Sequence, residues 1–267
     1  MEILMWRQIL DPYILAVDEL VLKFTHIMNE YRNAGEYSPI EQVDGRVKKI
    51  SSILEKAQKK GIEINDIENK ILDIAGIRII CQFVEDIEKV VELIRSRQDM
   101  KVVKEKDFIK NMKESGYRSY QMIIEYKVYT SKGEKVIQAE IQIRTLAMNF
   151  WATVEHSLQY KYKGNIPDYM KERLSKASNA IVILDNEMSA LRDVIMDAQD
   201  SFQYKANIVA DILTNMQNLY KVANKREIIK IQDEFFRIYN QGDMNQLERF
   251  NKELDIISEG YKAQSLK

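Results

Sequence analysis

The pattern of apolar positions predicts a long helix near the start of the chain. Apolar and aromatic residues recur at helical spacing after Pro12, and Gly35 marks the end of this segment. The recurring positions are Ile14, Val17, Leu20, Val21, Phe24, Ile27, Met28 and Tyr31. Two shorter helices are predicted over residues 45–60, ending at Gly61, and over residues 65–74.

Four later segments are rich in β-branched and aromatic residues and predict strands. They cover residues 75–83, 100–108, 119–130 and 135–145. An amphipathic helix is predicted over residues 84–98, and Ser131-Lys132-Gly133 predicts a hairpin turn. The first three strands and their helices precede this turn along the chain. The segment pattern therefore predicts an α+β fold with a mixed β-sheet flanked by helices.

The pattern from Leu146 to the C-terminus is helical, with interruptions near residues 164–167 and 240–242. Two of the later helices are amphipathic. Their apolar positions are Ile228, Ile231, Phe235 and Ile238 on one, and Leu247, Phe250, Leu254 and Ile257 on the other. We expect a first domain over residues 1–200 and a helical C-terminal extension over residues 201–267. Core packing is the default interpretation of the extension, and an oligomer or partner surface is the alternative.

The last predicted strand separates apolar from polar side chains. Ala139, Ile141 and Ile143 point to one face, and Gln138, Glu140, Gln142 and Arg144 point to the other. Arg78 interrupts an otherwise apolar strand in the same way. Alternation alone is equally typical of a solvated sheet face, but a carboxylate, two arginines and several amides together favour a working surface.

Composition limits the class of protein. The chain has 267 residues, of which 45% are apolar and 30% charged, which suits a globular protein of one or two domains. The single cysteine, Cys81, excludes an intramolecular disulfide and is expected to be a buried strand residue. No apolar run is long enough to cross a membrane. These features predict a cytoplasmic protein without a membrane partner.

The net charge of −1 hides two basic segments. Residues 46–60 contain six basic residues against one acid, and residues 101–118 contain six more against three acids. One such run is typical of a solvated helix face, but two runs beside one sheet favour a cleft for a polyanionic ligand.

Several chemistries are excluded by the residues that are missing. The only histidines are His26 and His156, and no Cys/His cluster is present for a zinc site. The glycines are too widely spaced for a dinucleotide-binding loop or a P-loop. Phosphoryl chemistry remains, with Asp73 and Glu140 as ligands for Mg²⁺ and basic side chains to balance phosphate charge. Tyr117, beside a basic loop, would stack on a base.

Five ordered motifs resemble the (p)ppGpp synthetase domain of the RelA/SpoT family, and most closely a small alarmone synthetase of the RelQ type. The motifs are GRVKKISSI (45–53), DIAGIRIICQF (73–83), KNMKESGYRSY (110–120), EIQIRT (140–145) and LAMNFWATVEHSLQYKYK (146–163). The resemblance implies a nucleotidyltransferase-like synthetase fold that transfers pyrophosphate from ATP to the 3′-hydroxyl of GDP or GTP. It implies no hydrolase activity.

The resemblance also implies roles for individual residues. The ATP-binding residues would be Arg46, Lys48, Lys56 and Arg78; the catalytic residues Glu140, Asp73 and Arg78; the Mg²⁺ ligands Asp73 and Glu140; and the acceptor-binding residues Lys106, Lys113, Tyr117, Gln121, Gln142 and Asn149. Arg46 and Lys56 are expected to border one groove of a single helix. Tyr117 is expected to be exposed because guanine is its packing partner.

Two departures from the family pattern fall near the acceptor residues. The motif GYRSYH ends here as GYRSYQ, so Gln121 replaces a histidine, and Met112 stands where relatives usually carry proline. The resemblance further implies a homotetramer, allosteric activation by pppGpp and inhibition by single-stranded RNA. The alternatives are a noncatalytic nucleotide- or RNA-binding regulator on the same fold and another nucleotidyltransferase.

Overall fold

A computed structural model describes residues 2–162, 165–221 and 223–265. The helices are α1 (Glu2–Asn33), α2 (Ile50–Lys60), α3 (Ile67–Lys70), α4 (Val84–Arg95), α5 (Leu146–Lys161), α6 (Asp168–Leu219), α7 (Lys225–Gln241) and α8 (Met244–Ser265). The strands are β1 (Gln42–Val47), β2 (Ala75–Cys81), β3 (Met100–Asp107), β4 (Tyr120–Thr130) and β5 (Gly133–Thr145). The chain divides into two compact units, one up to Arg192 and one from Asp193 onward.

The first unit is built on a five-stranded mixed sheet in the order β1-β2-β5-β4-β3. Strands β2 and β5 are parallel, and the other neighbouring pairs are antiparallel. The sequence prediction of a mixed sheet flanked by helices is confirmed. So are the four predicted strands and the buried position of Cys81 in β2.

One face of the sheet carries the main core. Val17, Leu20 and Phe24 of α1 are buried in the same cluster as the apolar residues of β2 and β5. Gly45 permits the close approach of β1 to α1, because a Cβ there would lie 2.5 Å from Cγ2 of Val21. Since successive side chains of a strand alternate, the polar positions of the same strands point to the opposite face.

Several sequence-based boundaries were wrong. The helix predicted over residues 65–74 covers only Ile67–Lys70. Residues 42–47 form the edge strand β1, so the helix predicted over residues 45–60 begins only at Ile50. Helix α1 begins at Glu2 and includes Pro12 rather than starting there. A further break separates α6 from α7 after Leu219, which the apolar pattern did not indicate.

The second unit has its own apolar core. Residues of α6, α7 and α8 form it, including Ile212, Phe235, Ile238, Leu247 and Leu254. The two predicted amphipathic faces therefore pack inward. Among the described residues, no helix is both long and apolar enough to cross a lipid bilayer.

Candidate active site

Strand pairing places the predicted site residues in two rows across the polar face of the sheet. The first row is Arg46, Gly76, Glu140, Ile123 and Lys104, and the second is Asp44, Arg78, Gln142, Gln121 and Lys106, each read from β1 to β3. Residues paired across neighbouring strands point to the same face. Glu140 therefore occupies the central strand, with arginines on one side and lysines and Gln121 on the other.

A cleft of about 800 Å³ covers this face. Most of the residues predicted from the sequence line it together: Arg46, Lys56, Asp73, Arg78, Lys106, Lys113, Tyr117, Gln121, Glu140 and Gln142. Lys48 lines an adjoining cavity with Arg46, Arg78 and Glu140. Arg46 and Lys56 border one groove as expected, but from a strand and a helix rather than from a single helix.

Asp73 lies just before β2 and is held by two lysines. Its Oδ2 accepts hydrogen bonds from Nζ of Lys48 at 2.6 Å and of Lys56 at 2.7 Å. Burial raises the pKa of the Asp73 carboxyl, but the hydrogen bonds and charges of both lysines outweigh burial, and the net pKa lies below its ordinary value. Asp73 is thus a carboxylate at neutral pH, and its buried Oδ1 has no hydrogen-bond partner within the described chain.

The chemistry of Asp73 and Glu140 fits a divalent cation. Both carboxylates line the same cavities, and the buried Oδ1 of Asp73 is an oxygen ligand without a partner. Mg²⁺ takes oxygen ligands and is commonly bound by one or two carboxylates together with substrate phosphates. No group of three or more His, Cys, Asp or Glu residues suited to a metal occurs in the described part of the chain. Oxygens of the substrate phosphates would therefore have to complete the coordination shell of the Mg²⁺ ion.

Three guanidinium groups crowd the side of the cleft that includes β1 and β2. Burial, followed by the charges of Arg144 and Arg46, lowers the pKa of Arg78 below its ordinary value. The Nε of Arg78 is buried and has no hydrogen-bond partner among the described residues. The cleft as a whole is lined by six lysines and arginines against three carboxylates, and this excess of positive charge favours binding of an anion such as a polyphosphate.

Tyr117 is half-buried, so the expectation of an exposed ring was wrong. Its ring packs edge-on against Phe108, with centroids 6.1 Å apart. Nζ of Lys113 lies 4.6 Å and Cζ of Arg144 lies 5.0 Å from the ring centroid. The tyrosine is therefore already oriented by protein contacts within the cleft.

A hydrogen-bonded chain joins Tyr117 to Glu140 through alternate residues of β5. Arg144, whose exposed fraction is 5%, donates from Nη2 to Oη of Tyr117 at 2.7 Å and to Oε1 of Gln142 at 2.6 Å. Gln142 donates from Nε2 to Oε2 of Glu140 at 2.7 Å. Arg144 was recognised from the sequence only as part of the polar face, and the structure gives it a contact with the predicted stacking residue.

Gln121 and Asn149 have different surroundings. Gln121 lines the cleft and donates from Nε2 to Oη of Tyr117 at 3.1 Å. Asn149 lies in the first turn of α5, and its buried Oδ1 has no partner within the described residues. Neither observation assigns a ligand to these amides, so their acceptor-binding roles stay predictions.

Sequence reasoning missed the helical wall of the cleft and several lysines. Helix α5 lines it with Thr153, Glu155, His156, Ser157 and Gln159. Five of the seven residues from Thr153 to Gln159 are polar, which was a usable signal. Beside Glu140, a lysine-rich cavity is lined by Lys56, Lys60, Lys70, Lys104 and Lys106. Lys60 and Lys104 were recognised only as members of the two basic segments, and Lys70 was not recognised.

The fold and this cleft define a phosphoryl-transfer domain, and comparison with known proteins identifies its family. The family described as "Region found in RelA / SpoT proteins" matches residues 45–165. The chain is 52% identical over 200 residues to the GTP pyrophosphokinase YjbM of Bacillus subtilis (strain 168). The match covers 75% of this chain and 94% of that protein. The chain therefore belongs to the RelA/SpoT family, as its motifs predicted.

Solved structures agree with this assignment. Small alarmone synthetase 1 from Bacillus subtilis, bound to its product pppGpp, matches with a TM-score of 0.70 and 52% identity over 72% of this chain and 98% of that one. The same protein bound to AMPCPP matches with a TM-score of 0.64 and 48% identity, also over 72% of this chain and 98% of that one. The neighbours thus share both fold and sequence with this chain.

Proposed function

We propose that this protein is a GTP pyrophosphokinase, a small alarmone synthetase that transfers pyrophosphate from ATP to the 3′-hydroxyl of GDP or GTP. The observation that carries the proposal is the central position of Glu140 in the sheet. The strands on one side of it carry Arg46 and Arg78, and those on the other side adjoin Tyr117. One carboxylate thus adjoins space for a donor and an acceptor. The GTP pyrophosphokinase relative and the synthetase structures with pppGpp and AMPCPP bound support it.

The donor half would bind ATP. Arg46 and Arg78 would contact the adenine or the phosphates, and Lys48 and Lys56 would contact the phosphates while holding Asp73 as a carboxylate. Fixed positive charges stabilise the charge that spreads over the transferred group, and they need little reorganisation during the reaction. Mg²⁺, held by Asp73 and Glu140, would neutralise phosphate charge and orient the transferred group.

The acceptor half would bind the guanine nucleotide. Tyr117 would stack on guanine, Gln142 and Asn149 would contact the nucleoside, and Lys106, Lys113 and Gln121 would contact its phosphates or ribose. Glu140 would accept the proton of the 3′-hydroxyl as the oxygen bonds to the β-phosphorus of ATP. The bond between the β-phosphorus and the bridging α–β oxygen breaks, and AMP leaves with the electron pair.

The remaining features of the proposal come from the family resemblance. We assign synthesis to residues 1–200, and leave residues 201–267 as an extension without an assigned role. The protein would act in the cytoplasm as a homotetramer, with allosteric activation by pppGpp and inhibition by single-stranded RNA. Sedimentation of the purified protein tests the tetramer, and turnover with added pppGpp or RNA tests the two effectors.

A nucleotide assay tests the central proposal. Purified protein is incubated with labelled ATP and each of GDP, GTP and GMP, with and without Mg²⁺, and the products are separated by anion exchange. We expect a more highly phosphorylated guanine nucleotide and an equal amount of AMP, only when Mg²⁺ is present. ADP in place of AMP would indicate a single-phosphoryl transferase, and nucleotide binding without any product would indicate a noncatalytic regulator.

A further inference from the structure

One stripe of helix α6 contacts the elements that carry the predicted acceptor residues. The stripe consists of Leu174, Ser178, Ile181 and Asp185, which share one side of the helix. Trp151 of α5 donates from Nε1 to the Leu174 carbonyl at 2.9 Å, and Thr145 at the start of α5 donates from Oγ1 to Oδ2 of Asp185 at 3.0 Å. In the described chain these four residues do not line the cleft. Their effect on it must therefore pass through the elements that they hold.

Ser178 reaches the turn that precedes Tyr117. Its Oγ donates to the Gly116 carbonyl at 2.6 Å, and the exposed fraction of Ser178 is 3%. The sulfur of Met112 lies 3.8 Å from the same Oγ. A thioether is a weak acceptor, so the carbonyl is the main acceptor of the Ser178 hydroxyl. This contact joins α6 to a turn that is sixty-two residues earlier in the chain.

Gly116 fits closely between α5 and α6. Its φ is +89°, and a Cβ there would lie 2.9 Å from Cβ of Ser178 and 3.2 Å from Cζ2 of Trp151. The turn itself is closed by a hydrogen bond from the Gly116 N–H to the Lys113 carbonyl at 2.8 Å. A second hydrogen bond across the turn runs from the Lys113 N–H to the Tyr117 carbonyl at 3.4 Å. Residues 113–115 are exposed, so within the turn it is Gly116 that contacts α5 and α6.

We propose that Ser178 is a positioning residue for the acceptor subsite. By holding the Gly116 carbonyl, it fixes the orientation of the turn that carries Lys113 and Tyr117. The inference rests on the proposed function, in which Tyr117 stacks on guanine. A fixed turn removes the cost of ordering these two side chains when the nucleotide binds, so Ser178 improves acceptor affinity without touching the acceptor.

Equilibrium binding tests this proposal separately from turnover. The dissociation constants of GDP and of a non-hydrolysable ATP analogue are measured for wild type and Ser178→Ala. We expect GDP affinity to fall about five- to tenfold, the effect of one buried hydrogen bond, while affinity for the ATP analogue changes less than twofold. Ser175→Ala, the same change on a neighbouring half-buried residue of α6, is the matched control and should leave both constants unchanged.

A double-mutant cycle with Tyr117→Ala shows whether Ser178 acts through the tyrosine. In that background Ser178→Ala should lower GDP affinity clearly less than it does in the wild type, because only Lys113 is left for the turn to position. Equal losses for GDP and the ATP analogue, or a full effect of Ser178→Ala without the tyrosine, would overturn the proposal. So would a wild type that binds no GDP. A wild type that binds GDP but makes no product refutes the pyrophosphokinase and leaves this test intact.

Discussion

Gly76 of β2 and Glu140 of β5 are direct partners in a parallel ladder, so the residue beside the central carboxylate has no side chain. A Cβ at Gly76 would meet no atom closer than the Arg46 carbonyl oxygen at 3.7 Å. Packing of the protein therefore does not require glycine here. The missing side chain instead leaves open the cavity between Arg46 and Arg78, where the ATP phosphates are proposed to bind.

Filling that space should impair ATP binding without unfolding the sheet. We expect Gly76→Val to raise the KM for ATP at least about tenfold, because two methyl groups would occupy the cavity, while a β-branched residue suits a strand. Gly76→Ala should have a smaller effect in the same direction. KM for both substrates and the melting temperature are measured for each variant. Unchanged ATP KM in Gly76→Val would show that the donor binds elsewhere.

Glu140→Gln should abolish pyrophosphate transfer while the protein stays folded. The variant loses the proposed base and a metal ligand, which should cost at least ~3 kcal/mol of barrier, on the order of a 10²-fold loss of rate. Turnover is measured at saturating Mg²⁺. Glu134→Gln is the control, because Glu134 lies on the same strand but pairs with Lys127 near the hairpin. A rate within tenfold of wild type would contradict the assignment of Glu140.

Tyr117→Ala should weaken acceptor binding far more than ATP binding, because the stacking ring is lost. The structure adds an expectation for Tyr117→Phe: the ring remains, but Arg144 loses one of its two hydrogen-bond acceptors. An unsatisfied buried donor costs about 1–3 kcal/mol. Tyr117→Phe should therefore lower the melting temperature, while the acceptor KM changes little because the stacking ring remains. Equal losses of ATP and acceptor affinity in Tyr117→Ala would place the ring in the core instead.

Part of the site was predictable because side chains alternate between the two faces of a strand. The alternation in residues 138–144 placed Glu140, Gln142 and Arg144 on one face. The positions of Arg78 and Glu140 in neighbouring rows follow from the pairing register of β2 and β5. That register could not be read from the sequence, because it depends on how strands distant in the chain pair. The hydrogen-bonded chain from Tyr117 to Glu140 could not be predicted for the same reason.

The edge strand β1 was missed because its signal is weak. Only Val43, Gly45 and Val47 alternate against polar residues, and the segment continues directly into the helical pattern of α2. The glycine suggested a helix boundary, whereas its place is decided by the approach of α1, where Val21 leaves no room for a Cβ. The contact with α1 thus requires a glycine at position 45, whereas the local sequence pattern had suggested the start of a helix there.

Asp185 provides a test of stability against pH. Burial raises the pKa of its carboxyl from 3.8 to about 6, although the Thr145 hydrogen bond and Arg118 lower it. A raised folded-state pKa gives stability that is fully present below the unfolded pKa and is lost as pH rises through about 6. Asp185→Asn keeps an acceptor for Thr145 and should be more stable than wild type by up to about 3 kcal/mol above this window.

Urea denaturation of wild type and Asp185→Asn at pH values from 4 to 8 measures this difference, which should shrink toward the acidic end. Asp197→Asn, at an exposed position of the same helix, should not reproduce the trend. A constant difference between wild type and Asp185→Asn across the range would show that the carboxyl is already ionised at the acidic end.

Gln121 gives the last prediction, because it replaces the histidine of the family motif. It pairs with Lys106 across the β3–β4 ladder and donates to Oη of Tyr117, within the lysine-rich cavity beside Glu140. A glutamine can donate a neutral hydrogen bond to a phosphate or ribose oxygen, but it cannot gain a charge. We therefore expect Gln121 to add no pH dependence to the acceptor KM.

Gln121→His should add such a dependence. The neighbouring ammonium groups disfavour the imidazolium ion, so the histidine should titrate below its ordinary pKa of about 6.5. Acceptor binding should therefore tighten between about pH 7 and pH 5, by ~1 kcal/mol, the difference between a neutral and a charge-assisted hydrogen bond. Acceptor KM is measured against pH for wild type, Gln121→His and Gln121→Ala, with ATP KM as the internal control. Three curves of the same shape would show that residue 121 does not reach the nucleotide, because a titrating side chain in contact with a polyphosphate must change its affinity.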